Sequence, residues 1–313
     1  MIAFWAAACI AIAAAPAHAD SINVTVLGSG YVEPLADKFG ASILVEAGTE
    51  ALLFDVGRGA TIRLNQTQVS FDRVDKVFLT HLHSDHIVGL PDLYLTGWVL
   101  GRRSTPLRLW GPKGTARMAE KLVAAFDFDI TIRRDVHTQY SATGAIIKAT
   151  DFVEGVVYEN NGVTVTAFEV DHGPVEPAFG FRVDYADKSI AISGDTRPSD
   201  NLIKFARGVD VLFHEAFAPN AYAAAHPDVP AAVIDSIARV HTTPSQAGEI
   251  FAKANPRLAV FYHIDPGPKF AAELRASARR AYRGRLEVGE DLMHVAISDV
   301  ITVSRRTPVS TNR

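Results

Sequence analysis

Residues 80–86 read Thr-His-Leu-His-Ser-Asp-His, directly after the apolar run Lys76-Val77-Phe78-Leu79. Imidazole and carboxylate are ligands for divalent cations. On an extended segment, residues i and i+2 point to the same side. His81 and His83 therefore converge on one ion while Leu82 points away. Asp85 and His86 fall on the following turn, beside a second position roughly 3.5–4 Å from the first, as two-metal sites require. The competing reading is a polar loop that happens to hold three of the chain's 11 histidines. Exposed loops have little reason to favour imidazole at i, i+2 and i+5, so the metal reading is preferred.

Half a site calls for other donors at strand ends further on. His172 follows the strand-like run VTVTAFEVD, Asp195 follows SIAISG, and His263 follows LAVFY. Gly194 allows a sharp turn just before Asp195. Taken singly, a His or Asp after a strand is more often a cap or turn residue. Together they bring the number of groups that two ions need, with Asp195 able to bridge both. The only cysteine, Cys9, lies in the first 19 residues, so the rest of the chain has no thiol to offer. Imidazole and carboxylate without thiolate suit zinc, with iron or manganese as close competitors.

The elements that must position these groups follow from hydrophobic periodicity. Strands are expected at 22–27, 42–46, 51–55, 76–80 and 107–110, a helix at 114–126, and β-rich sequence from 129 to 193. The last third alternates: strand 209–213, helices 231–240 and 245–254, strand 258–262, helix 270–282, then short strands at 293–297 and 300–304. Strands bunched in both halves, with helices outside them, predict two sheets packed face to face between helical layers.

Size and composition set the outer limits. The chain has 313 residues, 48% hydrophobic and 21% charged, ordinary values for a globular protein. No linker or repeat divides it, so residues 20–313 are expected to form one domain. The net charge is −4 and no basic stripe is visible, which argues against a nucleic-acid partner. Residues 1–19 carry no charged side chain and end in Ala17-His18-Ala19, a small-x-small pattern. The run is short for a membrane span and reads as a secretory signal peptide. A periplasmic or secreted protein is the expectation, with no membrane attachment after signal removal and a homodimer left open.

The order of the donors resembles that of the metallo-β-lactamase superfamily. Its HxHxDH hallmark is matched by His81, His83, Asp85 and His86, and its later single ligands by His172, Asp195 and His263. The resemblance implies an α/β fold, a four-layer αβ/βα sandwich with a dinuclear site at the sheet edges. It implies His81, His83 and His172 on the first metal, Asp85, His86 and His263 on the second, and Asp195 shared.

Phe213-His214-Glu215-Ala216 and His241-Thr242-Thr243 look like two further motifs of the ribonuclease Z-like branch. There a glutamate orients a histidine near the leaving group, which implies catalytic roles for His241 and Glu215. The bland reading of His241 is that it precedes a helix cap, since Thr243-Pro244-Ser245-Gln246 is a good helix start. The stretches LGSG, DKFGASILVEAG, LLFDVGRGATIRL and VGLPDLYLTGW look like those of secreted arylsulfatases of the same branch. Neither a basic PxKxRN-type loop nor a long Gly/Pro-rich arm of ribonuclease Z proper is found. The expectation is an exported dinuclear hydrolase of small anionic esters, an arylsulfatase first, with phosphodiesters close behind. A lactonase or β-lactamase of the same fold, or a metal-binding protein without turnover, are the alternatives. Trp98, Trp110, Phe126 and Tyr140 either line an aromatic cleft or fill the core, and Arg102 and Arg103 either attract an anion or are solvated.

Overall fold

The computed structural model describes residues 20–137 and 139–305. The expected signal peptide at 1–19 lies outside them. Among the described residues, fifteen strands pair into a sheet of eight and a sheet of seven. In spatial order the first sheet runs Ile301–Arg305, Met293–Ile297, Ile22–Gly28, Ser42–Ala47, Glu50–Phe54, Lys76–Phe78, Leu107–Gly111 and Ile147–Asp151. The second runs Leu286–Val288, Leu258–Phe261, Val211–His214, Lys188–Ile192, Val175–Tyr185, Val163–His172 and Gly155–Asn160.

Strand side chains alternate between faces, and here both faces are covered. Val24, Val45, Phe54 and Phe78 meet Phe181, Ile192, Phe213 and Val260 in the layer between the sheets. Their neighbours Leu44, Leu53 and Val77 point outward, under Ala60 and Leu64 of helix Ala60–Thr67 and under Leu93 and Trp98 of helix Leu90–Val99. On the other side, Leu212, Ala259 and Phe261 pack under helices Asp200–Ala206, Pro244–Ala254 and Pro268–Ala278. Burial on both faces explains why these strands read as nearly continuous apolar runs. The result is the expected four-layer sandwich.

Each sheet contains a block of four parallel strands, beginning at Glu50–Phe54 in one and at Lys188–Ile192 in the other. Parallel neighbours end on the same edge, where open α/β sheets bind their ligands. Strand Val163–His172 pairs antiparallel with Val175–Tyr185, which pairs antiparallel with Lys188–Ile192. His172 therefore emerges on the same edge as Asp195.

Some expectations need correction. The stretch expected to be β-rich from 129 opens as helix, Asp127–Thr131 continuing into a π turn at Ile132–Val136. Asp129 and Arg133 sit four residues apart and pair at 2.8 Å, a spacing that supports helix over strand. Helices Ala60–Thr67, Leu90–Val99, Asp200–Ala206 and Pro219–Ala225 were not anticipated. Trp98 is buried, and Trp110 stacks on Phe78 with ring centroids 4.9 Å apart. Phe126 and Tyr140 pack on the outer apolar cluster, so all four aromatics serve the core. Arg103 is buried too, bonded to the carbonyls of Tyr94, Thr105 and Gly144.

Candidate metal centre

Strand Lys76–Phe78 ends two residues earlier than its apolar pattern suggests, and helix Ser84–Ile87 begins soon after. His83 keeps extended backbone angles at the junction, φ −64° and ψ 148°. The stretch between them thus carries His81 and His83, while the helix presents Asp85 and His86. Gly194 takes φ 61°, and a Cβ there would lie 2.5 Å from the carbonyl oxygen of Phe179. The sharp turn before Asp195 therefore requires glycine. His263 itself sits at φ 50°, a strained setting for a side chain with a Cβ.

The chain brings all seven expected ligands into one pit. Asp195 divides it: Oδ2 lies 3.9 Å from Nε2 of both His81 and His172, and Oδ1 lies 3.3 Å from His86 Nε2 and from His263 Nδ1. His83 Nδ1 approaches His172 Nε2 at 3.4 Å. Across the pit, Asp85 Oδ2 is 3.3 Å from His263 Nε2 and 3.6 Å from His86 Nε2. Of three groups of possible ligand atoms among the described residues, one comes from His81, His83, His172 and Asp195, a second from Asp85, His86 and His263, and a third from Asp195, His241 and His263.

Whether this pit fits cations can be read from its hydrogen bonds. His81 Nε2 and Asp195 Oδ1 are buried and have no hydrogen-bond partner. Unpaired polar atoms are costly in an apolar interior, and a cation beside each would remove that cost. The far sides of the rings are occupied. Thr80 Oγ1 donates to Asp55 Oδ2 at 2.8 Å, so its oxygen accepts from His81 Nδ1 at 3.0 Å. His86 Nδ1 donates to Asp55 Oδ2 at 2.8 Å, and His172 Nδ1 donates to the carbonyl of Val240 at 2.9 Å. Each of the three rings therefore turns its Nε2 into the pit, the nitrogen through which such a ring would bind metal. The donor set of imidazole and carboxylate, with no thiolate, fits divalent cations and suits zinc.

Charge divides the rings: burial opposes a charged His86, yet Asp195 and Asp55 raise it well above its ordinary pKa. Burial, then the charges of neighbouring histidines, pushes His81 well below its ordinary pKa and keeps it neutral. Asp195 moves well below the usual carboxylate range: burial opposes ionisation, and the charges of His263 and His86 outweigh it. Asp55, at φ 57° just beyond strand Glu50–Phe54, holds both Thr80 and His86. Sequence reasoning placed it inside a strand and missed its role. An acidic residue between an apolar strand and Val-Gly was the available signal.

His241 and Glu215 also meet here. His241 Nδ1 donates to Glu215 Oε1 at 2.9 Å, and that oxygen accepts from the backbone N–H groups of Thr196 and Thr242 at 3.0 and 3.2 Å. Burial works against a charged His241, yet the Glu215 charge and hydrogen bond raise it to about 9. A ring nitrogen of His241 also comes close to Asp195 and His263. The helix-start reading holds beside this one: Gln246 Oε1 accepts from Thr243 N–H at 2.9 Å, and Pro244 opens helix Pro244–Ala254. Arg197, close after Asp195, pairs with Asp171.

Residues 42–264 match the beta-lactamase superfamily domain. The chain belongs to this superfamily. Among curated members, a protein of Mycobacterium sp. (strain KMS) named Ribonuclease Z is 35% identical over 285 residues, covering 90% of this chain and 98% of that protein. In fold, the chain is similar to a metallo-beta-lactamase fold protein from Bacillus subtilis, with a TM-score of 0.69 and 21% identity over 89% of this chain and 100% of that one. It is also similar to the short form of human tRNase Z, with a TM-score of 0.64 and 22% identity over 88% of this chain and 98% of that one. Membership bears out the metallohydrolase scaffold.

The curated relatives overturn two expectations. An exported arylsulfatase acting on small anionic esters is not supported, because the likeness along nearly the whole chain is to proteins named Ribonuclease Z. The exclusion of nucleic acid fails on the same finding. Its charge argument counted side chains alone, and two divalent cations carry as much positive charge as the formal deficit of −4. The export argument rested on residues outside those described.

Proposed function

We propose that this superfamily member is a two-metal phosphodiesterase that cuts an RNA backbone. The observation that carries the reading is the 35% identity along 98% of a protein named Ribonuclease Z, in a chain that also gathers seven metal donors around Asp195. His81, His83 and His172 would hold one cation, Asp85, His86 and His263 the other, with the two oxygens of Asp195 turned one to each group. Two such cations supply an activated water and a sink for phosphoryl charge.

The chain's own residues do the rest. Asp55 and Val240 hold the His86 and His172 rings so that Nε2 faces the pit. His241 is set apart from the ligands by Glu215, which takes its Nδ1–H and favours the protonated ring. The remaining nitrogen then has a proton to give. A ribose oxygen leaves poorly as an alkoxide, so a positioned acid at this point is worth roughly 10²–10⁴-fold in rate.

The test is cleavage of a structured RNA with a single-stranded 3′ extension by zinc-loaded protein, with both new ends sequenced. An internal cut that leaves a 3′-hydroxyl upstream and a 5′-phosphate downstream, and that a chelator abolishes, is the expected result. Intact RNA alongside turnover of bis-p-nitrophenyl phosphate would overturn the RNA assignment and leave the phosphodiesterase standing.

A further inference from the structure

Asp265 is 5% exposed, and its Oδ1 has no hydrogen-bond partner. Glu215, fully buried, has a second unpartnered oxygen in Oε2, the one that His241 does not use. Both residues line one small cavity with Tyr31, His241 and His263, and its remaining walls are the apolar Ala216, Phe217 and Ile237. Tyr31 lines the cavity beside Asp265 and stands edge-on to the His263 ring, with centroids 6.2 Å apart. A buried carboxylate oxygen without a donor is expensive, and nothing in the proposed chemistry employs Asp265.

The volume narrows what could satisfy it. The cavity measures about 20 Å³, and a single water needs roughly 10–15 Å³. One hydroxyl fits; a nucleobase or an aryl ring does not. The unpaired atoms are acceptors, so the occupant must donate. Asp265 is absent from the groups whose donor atoms cluster tightly enough for a metal ion, which points to a neutral O–H.

We propose that Asp265 accepts a hydrogen bond from the ribose 2′-hydroxyl next to the scissile bond, and so selects ribonucleotide over deoxyribonucleotide at that position. The inference rests on the RNA reading above. His241, assigned to the departing 3′-oxygen, borders the same cavity, and the 2′-hydroxyl is carried on the adjacent carbon of that sugar. The group that reaches this cavity when His241 meets the leaving oxygen is therefore the 2′-hydroxyl.

The experiment compares two oligonucleotides that differ only in a 2′-OH or 2′-H on the nucleotide preceding the cut. For the wild-type protein, kcat/KM should fall roughly 10²-fold or more on the deoxy substrate, in line with sites built to bind a hydroxyl. The ribo/deoxy ratio should move toward one in Asp265→Ala. Asp265→Asn, which keeps a carbonyl acceptor of the same size, should restore part of it. A merely structural Asp265 would lower both rates together and leave the ratio unchanged, and that outcome overturns the proposal. Equal cutting of both substrates by the wild type overturns it as well and leaves the RNA reading intact. Turnover of bis-p-nitrophenyl phosphate with neither oligonucleotide cut removes the RNA reading and this inference with it.

Discussion

Two buried carboxylates, Asp195 and Asp265, share His263 as a neighbour and meet opposite surroundings. Each has one oxygen without a hydrogen-bond partner. Asp195 is ringed by the imidazoles of His81, His86, His172 and His263, three of which have Nδ1 occupied and turn Nε2 inward. Asp265 is met by a phenol and by apolar walls. The pKa values part accordingly. Asp195 is drawn well below the carboxylate range by histidine charge acting against burial, while Asp265 is lifted to about 6, by burial first and by Glu33 after the opposing bond from Tyr31. An unpaired buried oxygen marks a binding position in both cases. What binds is decided by the neighbours: imidazole nitrogens converging from several sides call for a cation, and unpaired acceptors beside apolar walls call for a neutral donor.

The sharpest way to break this contrast is to remove the acid of the first kind. Asp195→Ala should lose metal from both positions, because one carboxylate faces both histidine groups, and RNA and bis-p-nitrophenyl phosphate hydrolysis should drop to background. Metal analysis showing two ions per chain in the variant would mean that Asp195 does not bridge.

His241 tests the border between the two environments, since it lies near Asp195 yet hydrogen-bonds to Glu215. His241→Ala should keep its metal content and lose roughly 10²–10⁴-fold in rate on a poor alkoxide leaving group. On p-nitrophenolate, which departs without a proton, the loss should be small. A helix-entry role predicts a stability loss of about 1 kcal/mol and an even fall across leaving groups. Metal loss in the variant would make His241 a ligand and move it to the Asp195 side.

The smallest expected effect comes from the residue behind the ligands. Asp55→Ala removes the acceptor for His86 Nδ1 and for the Thr80 hydroxyl. Such a partner is typically worth about 10–100-fold in metal affinity or activity. A metal titration should show that weakening without loss of stoichiometry. Unchanged affinity would show that packing alone holds the His86 ring.

How far these residues were legible from sequence follows from how they are spaced. His81, His83, Asp85 and His86 lie within six positions, so backbone geometry by itself makes them converge, and the chemistry could be read without a fold. The apolar strand runs around them likewise pointed to two sheets packed between helical layers. His172, Asp195 and His263 could be linked to that block only because each ends a strand-like run, and their order resembles a known pattern. The helices at 60–67, 90–99 and 200–206 escaped because helices buried against a sheet carry apolar residues that periodicity shares with strands. Tyr31, Asp55 and Asp265 offered no local pattern at all. Their significance arises from who stands next to them: Asp55 meets His86 across 31 positions, and Tyr31 and Asp265 close a pocket with Glu215 and His241. Sequence alone determined the metal chemistry, because its first four donors are neighbours along the chain. Only the tertiary structure decided which oxygens remain unpaired, because hydrogen-bond satisfaction is a property of groups brought together by packing.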